Sequence, residues 1–256
     1  MGQPGGNMSA ADITYSAVHE FSSDETLDGK TIESTGTDES AILVTDGEVT
    51  VSNSTITRNS DDDTKQNEKP VKRNSKNSNK VVIDPGHGGT DYGAIREGVN
   101  EKDITLDISQ RVEAILRSKG IKAVLTRNDD TFVSLEDRVS FSEEEDPEIF
   151  VSIHVNSAVS TTPNGIETHW YHDYSKPLAE IIHKHFVREL PKANDRGLFK
   201  SQFYVINHTT CPAVLCEIGF LSNEEERNDM LTEARKAKTA KAIAEGIIEY
   251  LKGGGK

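Results

Sequence analysis

The sequence predicts an α/β fold, a mostly parallel twisted sheet with helices on both faces, preceded by a small β-rich or disordered N-terminal segment. Three observations carry this expectation. From Lys80 onward, short apolar runs alternate with stretches whose apolar residues recur at helical spacing, the pattern of βαβ crossovers. Upstream, residues 13–59 are rich in Ser, Thr, Asp and Gly with brief alternating runs, and residues 61–79 contain almost nothing apolar. The 256 residues suffice for one sizeable α/β domain with its own core plus a smaller appendage.

Residues 1–12 are a polar tail, expected to be disordered. Within residues 13–60, Ala41-Ile42-Leu43-Val44 and Val49-Thr50-Val51 with Ile56 read as strands, the first two joined by a Thr45-Asp46-Gly47-Glu48 turn. Residues 29–59 resemble one coil of a right-handed parallel β-helix. A single coil cannot bury its own apolar face, and a partly disordered polar leader is an equal alternative. Residues 61–79 read as a polar linker, whose basic cluster Lys72-Arg73-Asn74-Ser75-Lys76 is solvated rather than a binding patch.

The main domain is expected over residues 80–252, with 253–256 as a tail. Its first strand, Val81-Val82-Ile83, is cut off by Asp84-Pro85-Gly86, which sets His87 on a glycine-rich loop at the strand's carboxyl end. Ile104, Ile108, Val112, Ile115 and Leu116 then mark a helix stopped at Lys119-Gly120. Residues 121–126 read as a second strand and 135–141 as a short helix. Ile149-Phe150-Val151-Ser152-Ile153 is a third strand, ending at His154. A turn at Pro163-Asn164-Gly165 leads into a strand over 166–171, and Pro177 opens a helix over 178–190. Short strands over 203–206 and 213–216 follow, the latter reaching Glu217, and helices over 224–230 and 233–252 close the chain.

Charge excludes whole classes of function. The net charge is -14, and from Lys80 onward 29 acidic residues face 22 basic ones without a basic stripe, which argues against duplex nucleic acid or anionic lipid as partner. No stretch approaches the roughly 18 apolar residues of a membrane span. Residues 1–11 lack the hydrophobic region of a signal peptide, leaving the export route open. Cys211 and Cys216 lie in an apolar extended run with Cα atoms about 17 Å apart, too far to bridge, and are expected as buried thiols.

Ligands of parallel sheets collect beyond the carboxyl ends of the strands. His87, His154 and Glu217 each follow an apolar strand at that end, and Glu101 opens the first helix on the same rim. Two imidazoles and a carboxylate with an open fourth position make a hydrolytic zinc site, and a further carboxylate can serve as general base. Taken singly, Glu101 reads first as a partner for the helix dipole and His154 as a half-buried structural histidine. Glu217 is harder to explain away, because a carboxylate directly after Val214-Leu215-Cys216 demands a polar cavity or a cation. His19, His169, His172, His183, His185 and His208 have no partner at metal-ligand spacing and read as structural or surface residues.

Five blocks in order, Val82-Ile83-Asp84-Pro85-Gly86-His87-Gly88-Gly89, Asn100-Glu101-Lys102-Asp103, Val151-Ser152-Ile153-His154-Val155-Asn156, Asn194-Asp195-Arg196-Gly197-Leu198 and Val214-Leu215-Cys216-Glu217-Ile218-Gly219-Phe220-Leu221-Ser222-Asn223, resemble the signatures of the zinc-dependent N-acetylmuramoyl-L-alanine amidases of the type 3 family. The resemblance covers residues 80–252. It implies a zinc-hydrolase-like fold, one zinc per chain held by His87, Glu101 and His154, and Glu217 as catalytic base. The implied reaction is hydrolysis of the amide between N-acetylmuramic acid and L-alanine in peptidoglycan. Asn156 and Arg196 match motif positions that line the same region, as substrate or structural contacts. Peptidoglycan or a muropeptide is the implied partner, the cell wall or exterior the implied location, and a monomer the expected state.

Two departures stand out. Where the family has Ala-Asn after the helix containing Arg138, this chain has Ser142-Glu143 and an acidic run to Asp146. Residues 171–191 hold one turn and one ordinary helix rather than a long regulatory helix, so the enzyme is expected not to be self-blocked. Two rival readings remain: a zinc peptidase acting within the stem peptide, and a non-catalytic peptidoglycan-binding or regulatory relative.

Overall fold

The computed structural model describes residues 80–254 and, between residues 16 and 58, the backbone of six short strands. The expected tail over 1–12 and linker over 61–79 lie outside the described residues. Contacts divide the chain into two compact units, residues 1–69 and 70–256.

In the first unit the strands are β1 (Ser16–Phe21), β2 (Glu25–Asp28), β3 (Thr31–Ser34), β4 (Glu39–Val44), β5 (Val49–Ser52) and β6 (Thr55–Arg58). They pair in parallel as β1 with β4, β2 with β5 and β3 with β6. Each strand therefore lies against its counterpart one turn later. The single coil expected from the sequence is in fact two stacked turns, which supplies the neighbour that one coil lacks.

The second unit is built on a six-stranded sheet, with strands β7 (Lys80–Pro85), β10 (Lys122–Leu125), β11 (Ile149–Asn156), β12 (Ile166–Trp170), β13 (Asp195–Lys200) and β14 (Ala213–Phe220). A two-stranded hairpin, β8 (Ile95–Arg96) and β9 (Val99–Asn100), precedes the first helix. The strand order is β10-β7-β11-β14-β12-β13. All pairings are parallel except β12 with β14.

The helices are α1 (Glu101–Ser118), α2 (Leu135–Glu145), α3 (Lys176–Glu189), α4 (Tyr204–His208), α5 (Glu224–Met230) and α6 (Glu233–Glu249), with a last turn Tyr250–Gly254 passing the expected domain end. Local chemistry explains their limits. Ser134, Asn223 and Thr232 cap the starts of α2, α5 and α6 by accepting from the backbone of Asp137, Glu226 and Arg235. Gly120, at φ 76°, lets the chain reverse after α1.

Both faces of the sheet are covered, which is why its strands are continuous apolar runs rather than alternating ones. Val81, Ile83, Val151, Ile153, Val214 and Cys216 pack into the larger core with α1, α3 and α6. Val82, Phe150 and Leu215 point the other way, to a smaller cluster with Val205 and Ile206 of α4. The expected strand over 203–206 is instead this short helix. Turn bonds from the Ile206 and Asn207 amides to the Phe203 carbonyl close it and lay two consecutive apolar side chains on the sheet, so packing overrides their β-branched preference. The Asp195–Lys200 edge strand, which the apolar pattern does not reveal, occupies the place beside β12. Among the described residues no helix is long and apolar enough to cross a membrane.

Candidate metal centre

Three adjacent strands, β7, β11 and β14, deliver His87, His154 and Glu217 to one rim. His154 and Glu217 are register partners, and Pro85 pairs with Ile153, so the loop carrying His87 lies beside the end of β11. Glu101 is the first residue of α1, and its amide donates to the Ala94 carbonyl at 2.9 Å.

The His87 loop is held by two buried arginines. Arg138 donates to the His87 carbonyl at 2.8 Å, to the Pro85 carbonyl at 2.7 Å and to Asp84 at 2.6 Å. Arg127 donates to the Pro85 and Gly86 carbonyls and, across to α1, to the Lys102 carbonyl. Asp84, fully buried, also accepts from Thr126 and Ser152. Burial alone would raise its carboxyl, but the Arg138 charge and these hydrogen bonds outweigh burial and hold it below its ordinary value. So anchored, His87 keeps a left-handed backbone at φ 61°, rare for a residue with a side chain and frequent at functional sites.

The three groups converge closely. Glu101 Oε1 lies 3.2 Å from His87 Nε2 and 3.1 Å from His154 Nδ1, and one ligand atom from each residue falls within 4.8 Å of the others. The rings meet edge to face with centroids 4.9 Å apart. Glu101 is fixed by amide donors at both oxygens, Val155 to Oε1 and Ala94 to Oε2, each at 2.9 Å. Burial opposes its charge, yet His154 and His87 hold its carboxyl far below the ordinary range. His87 Nδ1 donates to Asp91 at 2.8 Å, which leaves Nε2 facing Glu101. Against burial, Asp91 and Glu101 push the His87 imidazole up to about 9.

Two glycines make room for this set. A Cβ at Gly86 would stand 2.5 Å from His154 Nε2, and one at Gly93 would stand 2.6 Å from both Glu101 Oε2 and His87 Cδ2. Two imidazoles and one carboxylate in a tight group are the donors a catalytic zinc takes, so the residues present fit a metal of that kind.

Glu217 stands beside this group with its Oε2 shielded from solvent and without a hydrogen-bond partner. Burial, then the charges of Glu101 and Glu167, raise its carboxyl well above the ordinary range, with His87 acting in the opposite sense. Asn156 and Arg196 both meet Glu167. Asn156 Nδ2 donates to its Oε2 at 3.2 Å and Arg196 Nε to its Oε1. His169 Nε2 lies 3.1 Å from the same Oε2.

All six sequence-assigned site residues thus gather at one end of the sheet. Sequence reasoning missed Asp91 and Glu167. Glu167 had the same signal as Glu217, a carboxylate inside an otherwise uncharged strand; Asp91 had only its spacing, four residues after His87 in a glycine-rich loop. His169, read as structural or surface, is 7% exposed and belongs to this network through Glu167. His183 and His185 serve structure away from the centre, bonded to Asp195 and Glu249. Cys211 and Cys216 are free, buried thiols, and burial pushes Cys211 up to about 12. The acidic run after Arg138 contributes no group to the centre; Glu143 instead accepts from Thr210.

A largely parallel sheet that collects two imidazoles, a carboxylate and a second, buried carboxylate at one rim carries the donor set of a metal-dependent hydrolase. The chain belongs to the type 3 N-acetylmuramoyl-L-alanine amidase family, whose model matches residues 81–249. It is 40% identical over 174 residues to the N-acetylmuramoyl-L-alanine amidase LytC of Bacillus subtilis, covering 66% of this chain and 35% of LytC. It is 41% identical to YqiI of the same organism, covering 66% of this chain and 84% of YqiI. The catalytic domain of CwlV, an amidase from Bacillus (Paenibacillus) polymyxa, superposes with a TM-score of 0.66 at 42% identity, covering 68% of this chain and 98% of that one.

Proposed function

We propose that this chain hydrolyses the amide joining the lactyl group of N-acetylmuramic acid to L-alanine in peptidoglycan, working at the cell wall, with residues 80–252 as its catalytic unit. His87, Glu101 and His154 hold one zinc, and Glu217 is the general base. The observation that carries this reading is the buried, unpartnered Oε2 of Glu217 next to a two-histidine, one-carboxylate group. Family membership supports the bond and the metal.

Zinc in such a donor set acts as a Lewis acid, polarising a carbonyl and lowering the pKa of water to about 7. Glu217 accepts the proton of the water that attacks the scissile carbonyl carbon. As the carbon–nitrogen bond breaks, it returns that proton to the leaving amine of L-alanine. Glu217 Oε2 has no other hydrogen-bond partner among the described residues, so it is free to take the proton from water and to pass it on to the amine. Glu101, pinned by two amides, keeps its negative charge and neutralises the cation.

Glu217→Gln tests the assignment. The amide is nearly isosteric, so the variant should bind zinc as wild type does while turnover falls by about 10²–10⁴-fold. Near-full activity would remove Glu217 from this role.

A further inference from the structure

We propose that Phe199 and Phe203, together with Arg196, form the subsite for the stem-peptide leaving group. This rests on the amidase reading and adds where the peptide arm lies. The leaving amine must come within reach of Glu217, so the peptide leaves the centre on the Glu217 side, over β12 and β13, away from His87.

That side has a built surface. Glu217 pairs with Glu167 of β12, Glu167 with Gly197 of β13, and His169 with Phe199, so these side chains share one sheet face with the catalytic carboxylate. The opposite face is taken by α3, whose His183 bonds Thr168. His169 is buried between two aromatic rings, Phe199 stacked at 5.4 Å and Phe203 edge-on at 5.0 Å. Both phenylalanines remain open to solvent, 39% and 42% exposed. Phe199 on the edge strand β13 and Phe203 just before α4 form an apolar shelf, fitted to the small side chains of a short peptide.

Charge favours the peptide over the glycan. Arg196 stands at the point where the β12–β13 register jumps by one residue, and Glu167 holds it through Nε only. Its terminal nitrogens donate to no described residue, and the side chain is 35% exposed. A guanidinium with a free fork takes a carboxylate in a bidentate grip, and a stem peptide carries carboxylates where the neutral glycan carries none. Because β13 is the sheet's outer strand, its backbone is also free to bond an extended peptide.

The experiment compares kcat/KM of the full zinc-loaded chain on two probes, muramoyl-L-alanine and a muramoyl-tetrapeptide. Wild type should favour the longer stem by tenfold or more. The Phe199→Ala/Phe203→Ala variant should lose about tenfold of that preference, through KM for the long stem, with zinc content and melting temperature checked against wild type. Arg196→Lys should lose part of it, since an ammonium lacks the fork. A wild type indifferent to stem length overturns the subsite whatever the variants do, and so does an unchanged ratio in a folded variant or a loss that tracks glycan length instead. Cleavage of neither probe by wild type sinks the amidase reading itself.

Discussion

His154 and Glu217 stand side by side as register partners on the adjacent parallel strands β11 and β14. In the proposed mechanism one residue holds the metal and the other serves water and amine, so the hydrogen-bonded sheet would set the spacing between metal and base. Rigid elements hold such constellations better than loops do.

Loss of a ligand should empty the centre. In His87→Ala, zinc per chain should fall from one to near none after dialysis, with the fold kept, since the His87 side chain is half-buried at the rim rather than part of the core. Elemental analysis beside a thermal melt checks this; full zinc retention would remove His87 from the ligand set.

Gly86→Ala should disable the site through sterics alone. Its Cβ would meet the His154 ring at 2.4–2.7 Å, and the ring is confined by strand β11, so it must turn away from Glu101. Zinc affinity, read by competition with a chelator, should drop, while Gly98→Ala, with open space around it, should leave affinity unchanged at a small cost from its φ of 75°.

Asp91→Ala should weaken zinc binding by about 10–100-fold without removing any ligand, because Asp91 fixes the ring orientation that turns His87 Nε2 inward. The same chelator competition measures it; affinity equal to wild type would make the contact incidental.

Acid should unfold the chain partly through Asp84. Its folded-state carboxyl lies below the ordinary 3.8, so its contribution is complete above that value and is lost as pH falls through the folded-state value. Asp84→Asn leaves buried Arg138 without its counter-charge and should cost about 3–5 kcal/mol at pH 7. Thermal melts carried from pH 7 to 2 should show a lower profile for the variant that is flatter below 3.8; an unchanged acid slope there would assign that slope to other carboxylates.

What the sequence revealed and what it hid follow from local physics. His87 follows an apolar run and His154 and Glu217 interrupt one, which made the groups legible; the strands themselves continue to Asn156 and Phe220, past the ends that the pattern suggests, because apolar residues resume after each polar one. The helix at Val205-Ile206 was hidden because its apolar residues are β-branched and only the cluster around Phe150 and Leu215 decides their conformation. The two-turn N-terminal repeat was legible in its later strands, where pairing places Thr26 against Thr50, Thr31 against Thr55 and Ile32 against Ile56, and was blurred in the first, where His19 meets Ile42 and Glu20 meets Leu43. Glu167 was legible in principle. It sits in Ile166-Glu167-Thr168-His169-Trp170, where a charge needs a partner as much as at Glu217.

The most direct measurement is metal content joined to product analysis: zinc counted per purified chain, then purified peptidoglycan digested with and without chelator and the released fragments weighed by mass spectrometry. One zinc and chelator-sensitive release of intact stem peptides with free L-alanine amino ends is the expected result. Bound zinc with cleavage inside the stem would contradict the assigned bond, and cleavage that survives chelator in a metal-free chain would contradict the assignment of His87, Glu101 and His154 as the ligands that make Glu217 a catalyst.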